Sequence, residues 1–432
     1  MDPGPSALLP RLLRSTERLL DSLFSPRPLN ADDLIRLAQA RTGLTDFGEW
    51  NFREPLEVLV RAYETEARLT PFGRIAARWD MTRFLSNLLR LRRQEADDPA
   101  IRAEPITRPI FILGLPRSGT TFLHSLLGQD RANRAPLAWQ TIYPYPTSAN
   151  SILKRDRRPR KVARQFRSFL RIAPNLRSLH PLEADAPQEC IEITGQVIRS
   201  LRFDTTHYVP SYARWLDAAG HREAYLFHKR FLQHLQRQSG PGRWVLKSPD
   251  HIYAFEALQE VYPDARFVFV HRDPLEVLAS VARLTEVLRE PFAWSVDRHQ
   301  IGRQVSERWE YGARLLIEAS VRLRATPERI VHLRHRNLVS DPVAAVAAVY
   351  RHFGLEFTAD AVRSIERFLA MRSKGGYGHN VYRLEDYGLR PDQERRRYRE
   401  YMSYFRLGSE KIAELSSRRD DVQIRAREAS PS

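Results

Sequence analysis

The sequence predicts an α/β fold: a parallel sheet flanked by helices and preceded by a helical N-terminal region. Three observations carry this. Short, largely apolar runs occur at residues 109–113, 244–246, 266–270 and 329–333, the first of them continuously so, interleaved with helical patterns. Such runs suit strands buried on both faces, and strands alternating with helices imply a parallel sheet. A glycine-bearing loop, residues 114–121, lies between the first run and the helical stretch after it. Ahead of all this, residues 6–93 carry helical patterns, with leucines at three- and four-residue intervals.

Taken in order, the first amphipathic stretch places Leu8, Leu9, Leu12, Leu13, Leu19, Leu20 and Leu23 opposite arginines. Packing against the body is the preferred expectation for it, and a peripheral membrane contact the alternative. Further helices are expected from near Asp33, capped by Asn30 or Asp32, then over residues 57–66 and 82–93. A charged, proline-punctuated connector over residues 92–108 leads to the first strand. Beyond it the expected order is helix 120–128, strand 244–246, helix 251–261, strand 266–270, helix 274–289, strand 329–333, and helices 341–353 and 359–371. Asp273 before Pro274 reads as a helix cap with proline at the first helical position. Residues 151–170 are dense in lysine and arginine, the pattern of a solvated helix face or of a surface for an anionic partner.

The whole chain narrows the function. Its 432 residues suffice for a large domain with an addition. The expected division is 1–100 as a helical region, 101–390 as the α/β domain and 391–432 as a charged helical tail. A formal charge of +17 suits nucleic acid, an anionic membrane or a multiply anionic small molecule. Without a zinc-finger spacing or an aromatic RNA-binding signature, nucleic acid is not expected. No run approaches the roughly 18 apolar residues of a membrane span. The single cysteine, Cys190, excludes an intrachain disulfide and a cysteine-based zinc site. Pro10, Arg11, Arg14 and Arg18 interrupt the N-terminal leucines, so no secretory signal is read and a cytoplasmic location is expected.

The loop Gly114-Leu115-Pro116-Arg117-Ser118-Gly119-Thr120-Thr121 carries the chemistry. Between a strand and a helix, it can aim backbone N–H groups at a phosphate while the helix N-terminus adds positive potential. The fold expected is therefore P-loop NTPase-like. Thr120 stands where a nucleotide triphosphatase places lysine, and Arg117 supplies a guanidinium suited to a tetrahedral anion. Magnesium ligands are not evident, and no metal is expected.

Two segments then resemble one family. Residues 109–127 (PIFILGLPRSGTTFLHSLL) are similar to the 5′-phosphosulfate loop of sulfotransferases that use 3′-phosphoadenosine 5′-phosphosulfate, and residues 266–280 (RFVFVHRDPLEVLAS) resemble their 3′-phosphate motif. The likeness is strongest to the bacterial branch with a helical N-terminal extension and runs over about residues 109–389. It implies that Pro116, Arg117, Ser118, Gly119, Thr120 and Thr121 hold the 5′ end of the donor, and that Arg272 and Ser280 hold its 3′-phosphate. Residues 372–376 and 379–389 resemble the family's closing loop over that phosphate and the element after it, with Lys374 as a further contact or part of an ordinary linker.

Sulfuryl transfer builds negative charge on the bridging oxygen, which a nearby cation stabilises. Lys247, in a segment similar to the catalytic lysine segment of protein-tyrosine sulfotransferases, is the expected residue, with Arg117 sharing the work. The acceptor hydroxyl or amine also needs a base. Residues 135–140 resemble a stretch that usually ends in glutamate, but this chain has Gln140 there, which cannot take a proton. Glu189 is the preferred substitute and His180 the second, with Glu183, Asp185 and His124 also weighed. The acceptor, whether small molecule, lipid or carbohydrate, and the oligomeric state are not legible in the residues. A P-loop kinase or ATPase and a non-catalytic nucleotide-binding protein at a membrane surface are the competing readings.

Overall fold

The computed structural model describes residues 28–145, 156–178, 182–371 and 382–407. At its centre, β1 (Ile110–Gly114) is apolar up to its closing glycine and buried throughout. It lies between β3 (Arg243–Lys247) and β4 (Arg266–His271), with the two-residue β2 (Asn133–Arg134) outside β3 and β5 (Ile330–Arg334) outside β4. All four pairings are parallel. The chain leaves β1 for one side of it and later returns to the other. A crevice therefore opens at the carboxyl end of β1, where ligands of open parallel sheets bind.

The strands alternate their side chains between two cores, as a pleated strand must. Phe111, Leu113, Trp244, Leu246, Phe267 and Phe269 join one large cluster. Ile110, Ile112, Val245, Val268 and Val270 join a second, closed by the helices Thr120–Leu127, Pro342–His352 and Ala359–Met371. The first cluster also contains Leu34, Leu56, Leu59, Phe84, Leu85 and Leu88 from the N-terminal helices Ala31–Thr42, Arg53–Thr65 and Pro71–Asp97. These helices thus share a core with the sheet.

Local chemistry explains the helix starts. The Asn30 side chain accepts the Asp33 N–H, and Thr70 caps a 27-residue helix with Pro71 in its first turn, eleven residues before the expected start at 82. That helix runs to Asp97, and residues 99–103 form a 3-10 turn, so the expected connector is partly helical. Asp273 caps the Pro274–Arg289 helix through the Leu275 N–H, as its sequence context predicts. Buried ion pairs bind the Pro71–Asp97 helix to the body: Arg83 with Glu192, and Glu95 with Arg230. Burial pushes the Glu95 carboxyl up, but His234, Arg230 and Arg102 outweigh it and hold it at about 2.

The leucine-rich stretch of residues 6–23 lies outside the described residues. The basic run is helical from Arg158 to Ile172. The segments Pro391–Arg397 and Arg399–Tyr404 form two short helices. Among the described residues, no helix is long and apolar enough to cross a membrane.

Candidate active site

At the end of β1 the backbone turns sharply. Gly114 has φ 155°, and a Cβ there would sit 2.5 Å from the Val270 carbonyl oxygen. Only glycine lets β1 and β4 stay paired at this level. Ser118, fully buried, donates its hydroxyl to the Leu115 carbonyl at 2.6 Å and so closes the loop on itself. Arg117 adopts φ 65°, the left-handed region that side chains avoid. Such strain persists where the surroundings hold it and marks functional loops. Gly119, at φ 94°, opens the Thr120–Leu127 helix. Pro116 is half-buried, Thr120 buried and Thr121 exposed at the helix N-terminus.

The second motif meets this loop. Arg117 Nε donates to Ser280 Oγ at 3.0 Å, and Arg272 Nη1 donates to the Arg117 carbonyl at 2.9 Å. Arg272 leaves the end of β4, while Ser280 lies in the Pro274–Arg289 helix. Ser280 Oγ also lies 2.9 Å from the Tyr382 hydroxyl. Three segments distant in sequence therefore converge on two guanidinium groups at neighbouring strand ends. Two half-buried guanidinium groups beside a helix N-terminus create a field suited to several negative charges.

Lys247 closes β3 and is 4% exposed. Its ammonium is ion-paired with the Glu189 carboxylate. The Cys190 N–H donates to the Lys247 carbonyl at 2.9 Å, and the Gln188 N–H to the Pro136 carbonyl at 2.7 Å. The chain on either side of Glu189 is thereby stitched, to β3 after it and to the segment entering the Ala138–Ile142 helix before it. Gln140 uses its side-chain oxygen to accept the Leu137 N–H at 2.9 Å, capping that helix. Glu183 and Asp185 are exposed, whereas Glu189 is half-buried against Lys247. His180 and Lys374 lie outside the described residues.

His124 is buried, and its Nε2 lies 3.0 Å from the Val245 carbonyl, which requires the proton on Nε2. Burial lowers its pKa to about 4, so it is neutral near pH 7. Asp250, three residues after Lys247, accepts from the Leu201 N–H at 3.0 Å and from Ser200 Oγ at 3.2 Å. Burial pushes its carboxyl up to about 7.

Sequence reasoning missed two contributors. Tyr382 stands in the segment 379–389, but nothing in its spacing points to Ser280. His335 follows β5, and a Cβ on Gly119 would come 2.9 Å from its Cδ2. Burial, then the charge of Arg272, lowers the His335 pKa to about 4, making it a neutral wall of the loop. The rule that ligands sit beyond strand carboxyl ends would have pointed to it.

Fold and site together define an α/β protein of the P-loop type, with a glycine-bearing loop joining β1 to the helix after it. Comparison with known proteins then places the chain: the model of the sulfotransferase family matches residues 109–359, and the chain belongs to that family. Omega-hydroxy-beta-dihydromenaquinone-9 sulfotransferase Stf3 of Mycobacterium bovis is 26% identical over 293 residues, spanning 64% of this chain and 70% of that protein. The crystal structure of sulfotransferase STF9 from Mycobacterium avium superposes with a TM-score of 0.79 at 31% identity, covering 87% of this chain and 96% of that one. Sulfotransferase STF1 from Mycobacterium tuberculosis gives a TM-score of 0.75 at 31% identity, covering 86% and 98%.

Proposed function

We propose that this protein transfers a sulfuryl group from 3′-phosphoadenosine 5′-phosphosulfate to a hydroxyl of a lipid or other small-molecule acceptor. The observation that carries the donor assignment is the joining of the loop to the second motif through Arg117, Ser280 and Arg272. A loop for one phosphate needs no such link, whereas a donor with separate 5′ and 3′ anionic groups needs two basic seats at a fixed separation. Pro116 to Thr121 form the 5′ seat, and Arg272 with Ser280 the 3′ seat. Lys374, by resemblance, adds a cation to the 3′ side.

In the transfer, the acceptor oxygen bonds to sulfur while the bond from sulfur to the bridging phosphate oxygen breaks. The electron pair stays on that oxygen. Lys247 and Arg117 oppose the developing charge, an interaction stronger in the transition state than before it. Glu189, paired with Lys247 and half-buried, takes the acceptor proton, and Gln140 is a helix cap that needs no proton chemistry. His180 is the second choice of base. The named substrate of Stf3 is a hydroxylated lipid quinone, which supports testing lipid alcohols first.

The test is binding followed by turnover. Metal-independent binding of 3′-phosphoadenosine 5′-phosphate in preference to ATP is expected, then mass gain of one sulfuryl group on an acceptor from a panel of lipid alcohols, sterols, phenols and sugars given labelled donor. Preference for ATP with magnesium would overturn the donor assignment. Donor binding with no turnover of any panel member would leave a nucleotide-binding protein rather than an enzyme.

A further inference from the structure

Away from the loop, the Arg158–Ile172 helix contains no aspartate or glutamate. Arg160, Lys161, Arg164, Arg167 and Arg171 are all exposed on it. The Pro71–Asp97 helix runs beside it: Phe292 is stacked between Phe72 and Phe169, with ring centroids 5.9 and 6.0 Å away. Ile75 and Trp79, one helical turn apart on that neighbour, are 63% and 41% exposed, and Ile172 at the end of the basic helix is 46% exposed. Trp79 lines the same cleft as Lys161, so exposed apolar side chains border the cations of the basic helix.

Two adjoining cavities, of about 360 and 570 Å³, open between these helices. Both are lined by Arg90, Lys161, Tyr143 and Tyr145, and neither has a carboxylate among its described lining residues. Lys161 Nζ lies 3.9 Å from the Tyr143 ring centre, and the Arg90 guanidinium 4.4 Å from that of Tyr145. Arg83 and Arg158 in the lining are already engaged by carboxylates. The charge left for a ligand comes from Lys161, Arg164 and their exposed neighbours.

We propose that this face docks on a bilayer bearing anionic phospholipids, with headgroup phosphates in the basic cleft and Trp79, Ile75 and Ile172 at the headgroup boundary. Cations in a row attract a negatively charged leaflet, and tryptophan with isoleucine adds apolar contact at the interface. A nucleic-acid strand would also be drawn by the charge, but the two exposed isoleucines offer a phosphate backbone nothing. The proposal does not depend on which donor or acceptor the enzyme uses.

Co-sedimentation of the full chain with vesicles tests it. Binding is expected to vesicles with about one part in three phosphatidylglycerol in phosphatidylcholine, and not to phosphatidylcholine alone. Raising salt from about 0.05 to about 0.5 M should release it. The triple variant Arg160→Glu, Arg164→Glu, Arg167→Glu should bind at least ten-fold more weakly, and Trp79→Ala a few-fold more weakly. Both should keep the parent's thermal midpoint and its affinity for 3′-phosphoadenosine 5′-phosphate, so that a failed docking is separable from a failed donor assignment. If the glutamate triple does not fold, glutamines at the same positions serve with the same expected direction. Undiminished vesicle binding by the triple variant, equal binding to neutral vesicles, or tighter binding to duplex DNA than to the anionic vesicles would each overturn the proposal.

Discussion

Replacing Arg272 with glutamine separates the two anionic seats. Besides its ion pair with Glu276 at 3.2 Å, the Arg272 guanidinium does two things: it holds the Arg117 carbonyl at 2.9 Å, and it stands at the end of β4 where the 3′-phosphate is assigned. The first is a hydrogen bond from a charged donor to a neutral carbonyl, so its loss slackens the loop and costs any 5′-nucleotide about 1 kcal/mol, roughly five-fold. The second is a charge-assisted contact to a phosphate, worth about 1.5–3 kcal/mol, roughly ten- to a hundred-fold, and felt only by ligands carrying that phosphate. Titration calorimetry with 3′-phosphoadenosine 5′-phosphate and with adenosine 5′-monophosphate reads both. The parent should prefer the bisphosphate strongly. In Arg272→Gln the bisphosphate should weaken by the product of both factors and the monophosphate by the first alone, so the preference collapses at least ten-fold. Equal losses for the two ligands would refute the assignment and leave Arg272 as a brace for the loop.

The same geometry sets three other expectations. Lys247→Ala should cut turnover by about 100- to 1000-fold, and Glu189→Gln by about 100-fold or more; in the double variant the losses should be far from additive because the side chains are paired, and additive losses in a kinetic double-mutant cycle would separate their roles. The Asp250 carboxyl is raised to about 7 when folded against about 3.9 unfolded, so between those values the folded chain binds more protons and stability falls as pH rises. Asp250→Asn should thus gain stability over its parent from pH 4 to 7, by up to roughly 4 kcal/mol, read from urea midpoints as a difference that cancels the opposite slope of buried histidines such as His124. Gly114→Ala places a methyl against the Val270 carbonyl at 2.5 Å, and about 1–3 kcal/mol of backbone strain should lower the thermal midpoint by several degrees and abolish bisphosphate binding; unaltered binding would show that the loop tolerates a wider turn.

Much of the α/β body was legible because its signals are local. Apolar runs gave β1, β3, β4 and β5 to within two residues, and Pro274 after Asp273 set the start of the helix carrying Ser280. The two-residue β2, Asn133–Arg134, has no apolar run and exists only through its pairing with Arg243 and Trp244. The helix Arg298–Arg322 was not expected, because Gly302 and Gly312 dilute its pattern. In the site, the identity of the loop residues was readable, but the contact of Arg117 with Ser280, 163 positions apart, is a product of the β1–β4 pairing. Likewise, no spacing rule announces that Glu189 meets Lys247 across 58 residues.

The N-terminal helices pack chiefly on other helices, yet they belong to the same apolar cluster as Phe111, Leu113, Leu246 and Phe269, so the region ahead of the sheet and the central strands form one continuous core. Loosening at Phe84 or Leu88 would reach Leu113, one residue short of the glycine that shapes the anion loop, only through the residues of that core lying between them. Substitutions in the N-terminal helices are thus expected to act on the strand end through packing alone, leaving the charges at the loop unchanged.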